Sequence, residues 1–316
     1  MTKSIRIGLV CLAALFVTDM RAGNGVAPAE ADESLQPYSE FGADSCLTCH
    51  ADQQTAMLFG SSHGRRDQRA GPFGPEQLQC EACHGPGGVH ARRLAKGQSR
   101  AAVVGFGVAS KTPVATQNAM CSGCHGPAIH RDWSGSSHAR ADVPCAACHR
   151  SHTRTDPVLA RATQPEVCFA CHAAERHASK LPYAHPIRQG KMSCTDCHGP
   201  HGGAGEFELR HFTINDTCNS CHADKRGPFL WEHAPVVERC TLCHQAHGAV
   251  QSSLLVQRAP WLCQQCHAEA GHPSIALGPG SIAGAQPSPY LLGGSCLNCH
   301  SQVHGSNHPS GSKLTR

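Results

Sequence analysis

Residues 121–152 read CSGCHGPAIHRDWSGSSHARADVPCAACHRSH, so four cysteines and five histidines share a stretch whose single large aromatic residue is Trp133. A segment of this composition cannot build a conventional apolar core. It contains C-x-x-C-H twice, at 121–125 and 145–149. On one helical turn residues i, i+3 and i+4 share a face, so both sulfurs of the pattern reach one edge of a porphyrin while the imidazole rises beneath its centre. The pattern is the attachment signature of c-type haem: two thiols form thioethers to the vinyl groups and the adjacent histidine binds the iron.

The whole chain repeats that pattern. Ten copies occur: CLTCH 46–50, CEACH 80–84, CSGCH 121–125, CAACH 145–149, CFACH 168–172, CTDCH 194–198, CNSCH 218–222, CTLCH 240–244, CQQCH 263–267 and CLNCH 296–300. Apart from Cys11 they use every cysteine. The expected thioether donors are Cys46 and Cys49, Cys80 and Cys83, Cys121 and Cys124, Cys145 and Cys148, Cys168 and Cys171, Cys194 and Cys197, Cys218 and Cys221, Cys240 and Cys243, Cys263 and Cys266, and Cys296 and Cys299. The expected proximal ligands are His50, His84, His125, His149, His172, His198, His222, His244, His267 and His300. A lone C-x-x-C in an exported protein reads more readily as a disulfide, a redox pair or half a zinc site. Histidine makes up 24 of 316 residues, so its chance appearance after all ten pairs has a probability on the order of 10⁻¹¹. Neither disulfides nor zinc ribbons require it.

Composition agrees with a cofactor-built interior. Val, Ile, Leu and Phe supply 53 of 316 residues, below the fraction at which a chain buries an ordinary core, while Gly (32) and Pro (21) point to a loop-rich architecture. Lys3 and Arg6 precede an apolar run from Ile7 to Val17, the pattern of a secretory signal peptide cleaved after Ala22 or Ala29. Cys11 lies inside that run and leaves with it. No later stretch approaches the length that spans a bilayer. The expected domains are a signal peptide, 1–22, and a decahaem electron-transfer domain, 23–316, in an exported chain. That domain has roughly 29 residues per haem, fewer than the ~40 below which a chain needs metals or crosslinks to hold a fold. The porphyrins are therefore the core, and must lie nearly edge to edge.

Fourteen histidines remain outside the motifs, enough to close the sixth position of ten irons; iron so closed is low-spin and suits electron transfer rather than substrate binding. They recur in two contexts. One precedes a motif: His63, His138, His185 and His233; the other comes after one: His90, His152, His201, His247 and His304. A histidine three residues past a proximal one is tethered by at most about 10 Å of extended chain, too short to round the macrocycle and bind the same iron. His152, His201 and His247 are thus expected to serve neighbouring haems. His272 is the candidate for the remaining odd-numbered haem, and His304 and His308 are carried together as alternatives. His130, His177 and His211 fit neither context.

Taken in pairs, the motifs make five two-haem units: 46–90, 121–152, 168–201, 218–247 and 263–304. The first motif of each pair lies in helix-friendly sequence, where Pro165 and Pro260 suit a first turn, and the second comes after a short non-helical lead. The fold class expected is a multihaem cytochrome c, loop-rich with short α-helices and little or no β-structure, elongated, with a haem-packed core and five repeats. The connector GQSRAAVVGFGVASKTPVATQN, 97–118, reads as a surface loop. The formal charge of +4 falls to +2 without the signal peptide, and ten ferric haems at about −1 each bring the loaded protein to roughly −8. The basic residues are scattered, which argues against nucleic-acid binding.

The blocks CNSCHADKRGPFLWEHAPVVERCTLCHQAHG (218–248), RAPWLCQQCHAEAGH (258–272) and GGSCLNCHSQVHGSNHPSG (293–311) go well beyond the haem motif. In them, and over nearly the whole mature chain, the sequence resembles the MtrA-like decahaem cytochromes, the family that includes the DmsE-type and MtoA-type proteins. The resemblance implies ten covalent haems c and distal ligands at His63, His90, His138, His152, His185, His201, His233, His247, His272 and the His304/His308 pair. It also implies a periplasmic rod inserted in an MtrB-like outer-membrane β-barrel porin. Such a rod passes electrons between periplasmic or inner-membrane cytochromes and a cell-surface multihaem cytochrome or terminal acceptor. A barrel with a polar interior supplies the insulating sleeve that a protein without its own membrane span needs to cross lipid. The leading expectation is a non-enzymatic electron carrier with no catalytic residues, serving metal or dimethyl sulfoxide reduction or ferrous iron oxidation. The rivals are a multihaem reductase with one open iron, against which stands the lack of a CxxCK motif, and a soluble periplasmic electron reservoir.

Overall fold

The ten motifs all fold into one turn of the same geometry. In each, the histidine N–H donates to the carbonyl of the first cysteine at 2.9–3.1 Å, and the N–H of the second cysteine donates to the same carbonyl at 3.1–3.2 Å. These bonds put the two sulfurs and the imidazole on one side of the turn. A computed structural model gives these coordinates, and describes residues 36–126, 131–267 and 296–315. The expected signal peptide and its cleavage sites, together with His130 and His272, lie outside the described residues. All described residues except Gln36 belong to one unit, Pro37–Arg316.

Helices are short. The longest described is Val114–Ser122, and such lengths are marginal without tertiary support. Each odd-numbered motif begins within one: Cys46 in Ala43–Leu47, Cys121 in Val114–Ser122, Cys168 in Gln164–Phe169, Cys218 in Ile214–Asn219 and Cys263 in Trp261–Gln264. Pro165 sits in the first turn of its helix, where its missing N–H leaves no bond unmade, and Pro260 is the N-cap residue of Trp261–Gln264. Thr213 caps Ile214–Asn219 by accepting from the N–H of Asp216. Even-numbered motifs start differently. Cys145–Ala147, Cys194–Asp196, Cys240–Leu242 and Cys296–Asn298 are single 3-10 turns. The residues before the first three of these, Pro144, Ser193 and Arg239, are extended. The second motif departs from this, since Glu81–His84 is α-helical and Cys80 ahead of it is already helical.

After an even-numbered motif the chain hooks back on itself. In residues 198–210 an antiparallel bridge joins His198 to Leu209, with Gly199 donating to Glu208 at 2.7 Å and Arg210 to Cys197 at 2.9 Å. The hook at 244–256 repeats this: His244 bridges Leu255, Gln245 donates to Leu254 at 2.7 Å, and Val256 to Cys243 at 2.9 Å. Each hook turns on two consecutive left-handed residues that are not glycine: Phe207 and Glu208 in one, Ser253 and Leu254 in the other. Longer-range bridges, Tyr183 to Ala249 and Trp231 to Ser306, join the third and fourth units to the chain just past the fourth and fifth. Among the described residues the bridges are isolated, and none forms part of a strand.

The polypeptide makes little core of its own. Among the described residues the buried hydrophobic side chains are Ala43, Leu58, Phe73, Phe169, Leu209 and Ala249. Polar links do the joining instead. Glu81, buried, accepts from Ser39 N at 2.9 Å, Ser39 Oγ at 2.7 Å and Gly87 N at 2.6 Å, tying the described N-terminal end to the second motif. The connector 97–118 corrects an expectation. Rather than a plain surface loop, it packs against the second motif: Val104 N donates to His84 O at 2.9 Å, and Gln117, buried, donates to Thr112 O and accepts from Gly107 N, both at 2.9 Å. Its last five residues, 114–118, are already helical.

Candidate haem sites

Nine motif histidines stand opposite a histidine from outside the motifs. The ring pairs and their centroid separations are His50–His90 at 6.3 Å, His125–His63 at 5.9 Å, His84–His152 at 6.2 Å and His172–His138 at 6.1 Å. Next come His149–His201 at 5.7 Å, His222–His185 at 6.4 Å and His198–His247 at 6.0 Å. His267–His233 and His244–His304 both stand at 6.1 Å. Two metal–nitrogen bonds of about 2 Å and two ring radii of about 1.1 Å place centroids about 6.2 Å apart across a single ion. The pairs therefore have the spacing of two imidazoles on one metal. Each offers two donors on one axis, which is what a macrocycle supplying the other four leaves to the protein. Among the described residues no group of three or more His, Cys, Asp or Glu side chains could hold a bare metal ion.

Hydrogen bonds fix the tautomers that such ligation needs. Nδ1 of His84, His198, His244 and His300 lies 2.6–2.9 Å from the carbonyls of Val104, Phe207, Ser253 and Lys313. Nδ1 of the opposing-type histidines His90, His138, His185 and His233 lies 2.8–3.0 Å from the carbonyls of Ala101, Pro200, Ala246 and Val303. A carbonyl only accepts, so each Nδ1 carries the proton and Nε2 keeps the lone pair that binds a metal. His149 reaches the same state by donating to Asp156 Oδ2 at 2.7 Å. His308 is the reverse case. Its Nδ1 accepts from the backbone N–H of Ser310 at 3.2 Å and lies 2.8 Å from the Ser310 hydroxyl, an arrangement that leaves the proton on Nε2.

The cysteines form a ladder in motif order. The first cysteines of the two motifs in a unit lie within hydrogen-bonding reach: Cys46 with Cys80, Cys121 with Cys145, Cys168 with Cys194, Cys218 with Cys240 and Cys263 with Cys296. Second cysteines meet across units, Cys83 near Cys124, Cys148 near Cys171, Cys197 near Cys221 and Cys243 near Cys266. Haems tethered at these sulfurs would succeed one another in motif order. Burial pushes the Cys80 thiol up to about 11. Burial also lowers the pKa of His63, His152, His247 and His304, helped by the facing imidazole in each pair and, at His304, by Lys225. A depressed value favours the neutral ring that a metal requires.

The doubled CXXCH motif family matches residues 185–227 and 233–272, and the family of cytochrome c-type protein NrfB-like sequences matches 80–164. Multiheme cytochrome MtrA of Shewanella baltica (strain OS185) is 48% identical over 284 residues, which is 88% of this chain and 83% of that protein. The chain belongs to the MtrA family. A second relative, cytochrome c-type protein NrfB of Haemophilus influenzae, is 31% identical over 151 residues, 42% of this chain and 65% of that protein. As an MtrA-family multihaem cytochrome c, the chain carries covalently bound c-type haems and works in electron transfer.

Within this MtrA-family chain the pairing crosses the unit boundaries drawn from sequence. His63, His138, His185 and His233 each face the odd-numbered motif of the following unit, while His152, His201, His247 and His304 face the even-numbered motif of the preceding one. Among these described pairs, His50–His90 alone closes within a unit. One expectation is corrected by this. All five odd-numbered motif rings already face other imidazoles, His267 facing His233, so the odd-numbered haem assigned to His272 is taken; His272 itself lies outside the described residues. Of the two alternatives near the C-terminus, His304 faces a motif ring and His308 is exposed, as are His177 and His211.

Sequence reading missed the residues that position the pairs. Asn118 and Asn215, each three residues ahead of an odd-numbered motif, accept from the N–H of Cys145 and Cys240 at 2.9 and 2.8 Å. Gln164 accepts likewise from Thr195 N at 3.1 Å. His201, His247 and His304 are each succeeded by a glycine with positive φ, Gly202 (117°), Gly248 (152°) and Gly305 (132°). A Cβ on Gly248 would come within 2.0 Å of Ala178 O, and one on Gly305 within 2.2 Å of Phe229 Cδ2. The His-Gly dipeptide recurring after even-numbered motifs was the available signal.

Proposed function

We propose that this protein is a decahaem conduit in which every iron is closed by two histidines and electrons pass along the motif order. The nine imidazole pairs carry this reading. His90, His63, His152, His138, His201, His185, His247, His233 and His304 serve as distal ligands to the haems of His50, His125, His84, His172, His149, His222, His198, His267 and His244. His272 supplies the tenth distal ligand of the set. Haem supplies one-electron Fe(III)/Fe(II) chemistry. The protein's part is to hold both axial positions, leave no iron open to substrate, and set the macrocycle edges close enough for tunnelling. Catalysis at a haem needs an open position, so the chain is a carrier and not an enzyme.

The chain acts in the periplasm after export, associated with the outer membrane inside a β-barrel porin. It connects periplasmic or inner-membrane cytochromes to a cell-surface multihaem cytochrome. Among the described residues no helix is long and apolar enough to cross a membrane, and a polar barrel lumen suits a chain of mean hydropathy −0.31. Intact-mass spectrometry of the exported protein tests the haem number, with ten covalent additions expected; fewer overturn the decahaem reading. Purification from outer membranes tests the placement: a β-barrel is expected to co-purify, and its absence favours the soluble reservoir.

A further inference from the structure

Asp156 occupies a position that no other described even-numbered motif reproduces. His84, His198, His244 and His300 each donate from Nδ1 to a backbone carbonyl. His149 donates to a carboxylate oxygen, Asp156 Oδ2, at 2.7 Å. The carboxylate is built into its place. Its Oδ1 accepts from the backbone N–H groups of Arg150 and Val158, both at 3.3 Å, and 15% of the side chain is exposed. Glu175 approaches another motif histidine, His172, but stands 3.9 Å away with 41% of its side chain exposed. That is beyond hydrogen-bonding distance and open to screening by water.

A carboxylate accepting from Nδ1 draws the proton toward itself and leaves more negative charge on the ring than a neutral carbonyl does. The ring then donates more strongly through Nε2 and favours the ferric state. Partial burial keeps the carboxylate's own charge effective at the metal. We propose that Asp156, acting through His149, gives the haem of motif 145–149 the lowest reduction potential of the even-numbered haems. This deepens the bis-histidine reading and rests on it. One electron arrives from a ferrous haem at motif 121–125 or 168–172, making iron ferrous here and ferric there, with no bond broken and no proton moved. The carboxylate thus makes this haem the hardest of the even-numbered haems to reduce.

Asp156→Asn keeps an oxygen of similar reach and removes the charge. Spectroelectrochemical titration of the fully loaded Asn variant is expected to move one haem in ten to higher potential while the other nine overlay the parent, and Asp156→Glu is expected to move it back. Superimposable parent and Asn titrations, with all haems retained by intact mass, overturn the proposal. Should the Asn variant lose haem, EPR of the oxidised parent decides: a low-spin species of narrowed g spread, the mark of a histidinate-like ligand, is expected at about one spin in ten. Its absence overturns the proposal and leaves bis-histidine ligation standing, whereas a high-spin signal overturns both.

Discussion

The odd-numbered motif histidines, His50, His125, His172, His222 and His267, are all exposed, whereas the even-numbered ones, His84, His149, His198, His244 and His300, are all half-buried. Both kinds close the same turn on the same five-residue pattern, so the turn does not account for the difference. The chain immediately downstream of the motif does. After an odd-numbered motif it moves on, into Ala173–Ala178 or Ala223–Lys225 for example. After an even-numbered one it hooks back and presents a carbonyl, or the Asp156 carboxylate, to the imidazole. The attachment motif fixes where a haem is tethered, and the second turn of chain fixes how firmly its ligand is aimed. On the proposed ligation, exchange of ligands between units would make each haem a staple, which would hold together a chain with so few buried apolar side chains.

Removing a distal ligand from each class gives the largest effect. His185→Ala opens the exposed His222 site and His247→Ala the half-buried His198 site. Each is expected to convert about one spin in ten to high-spin, with added imidazole restoring the exposed site at lower concentration than the half-buried one. Equal restoration breaks the distinction. Gly248→Ala comes next. It drives a Cβ against Ala178 O at 2.0 Å, so denaturant unfolding of the loaded protein should show a loss of about 3 kcal/mol.

Much of the site was legible because haem attachment demands five consecutive residues, and a spacing of that kind survives in sequence whatever surrounds it. The short tether from His149 to His152 and from His198 to His201 likewise excluded same-haem ligation on chain length alone. The direction of exchange was not legible. Whether His152 turns back to His84 or forward to His172 depends on the hooks and on close backbone approaches such as Gly248 to Ala178, contacts between residues far apart in sequence. The connector 97–118 was misread for a related reason. Its small residues resemble those of a loop, yet they let the backbone come near enough for Ala101 and Val104 to accept from His90 and His84.

Two smaller effects sharpen the contrast between the motif classes. Asn215→Ala removes the acceptor for Cys240 N, and should lower stability by about 1 kcal/mol in the same unfolding experiment, without changing the haem count. Ser253→Gly relieves a left-handed residue in the hook that aims His244. With glycine's greater unfolded-state entropy set against that relief, a change of no more than about 0.5 kcal/mol is expected.

Near-infrared magnetic circular dichroism of the oxidised, fully loaded protein tests the central claim most directly, since its charge-transfer bands distinguish imidazole–imidazole, imidazole–thioether and five-coordinate iron. The account predicts intensity equal to ten imidazole–imidazole haems per chain. Band intensity assigning even one iron to a methionine or to an open position would contradict it.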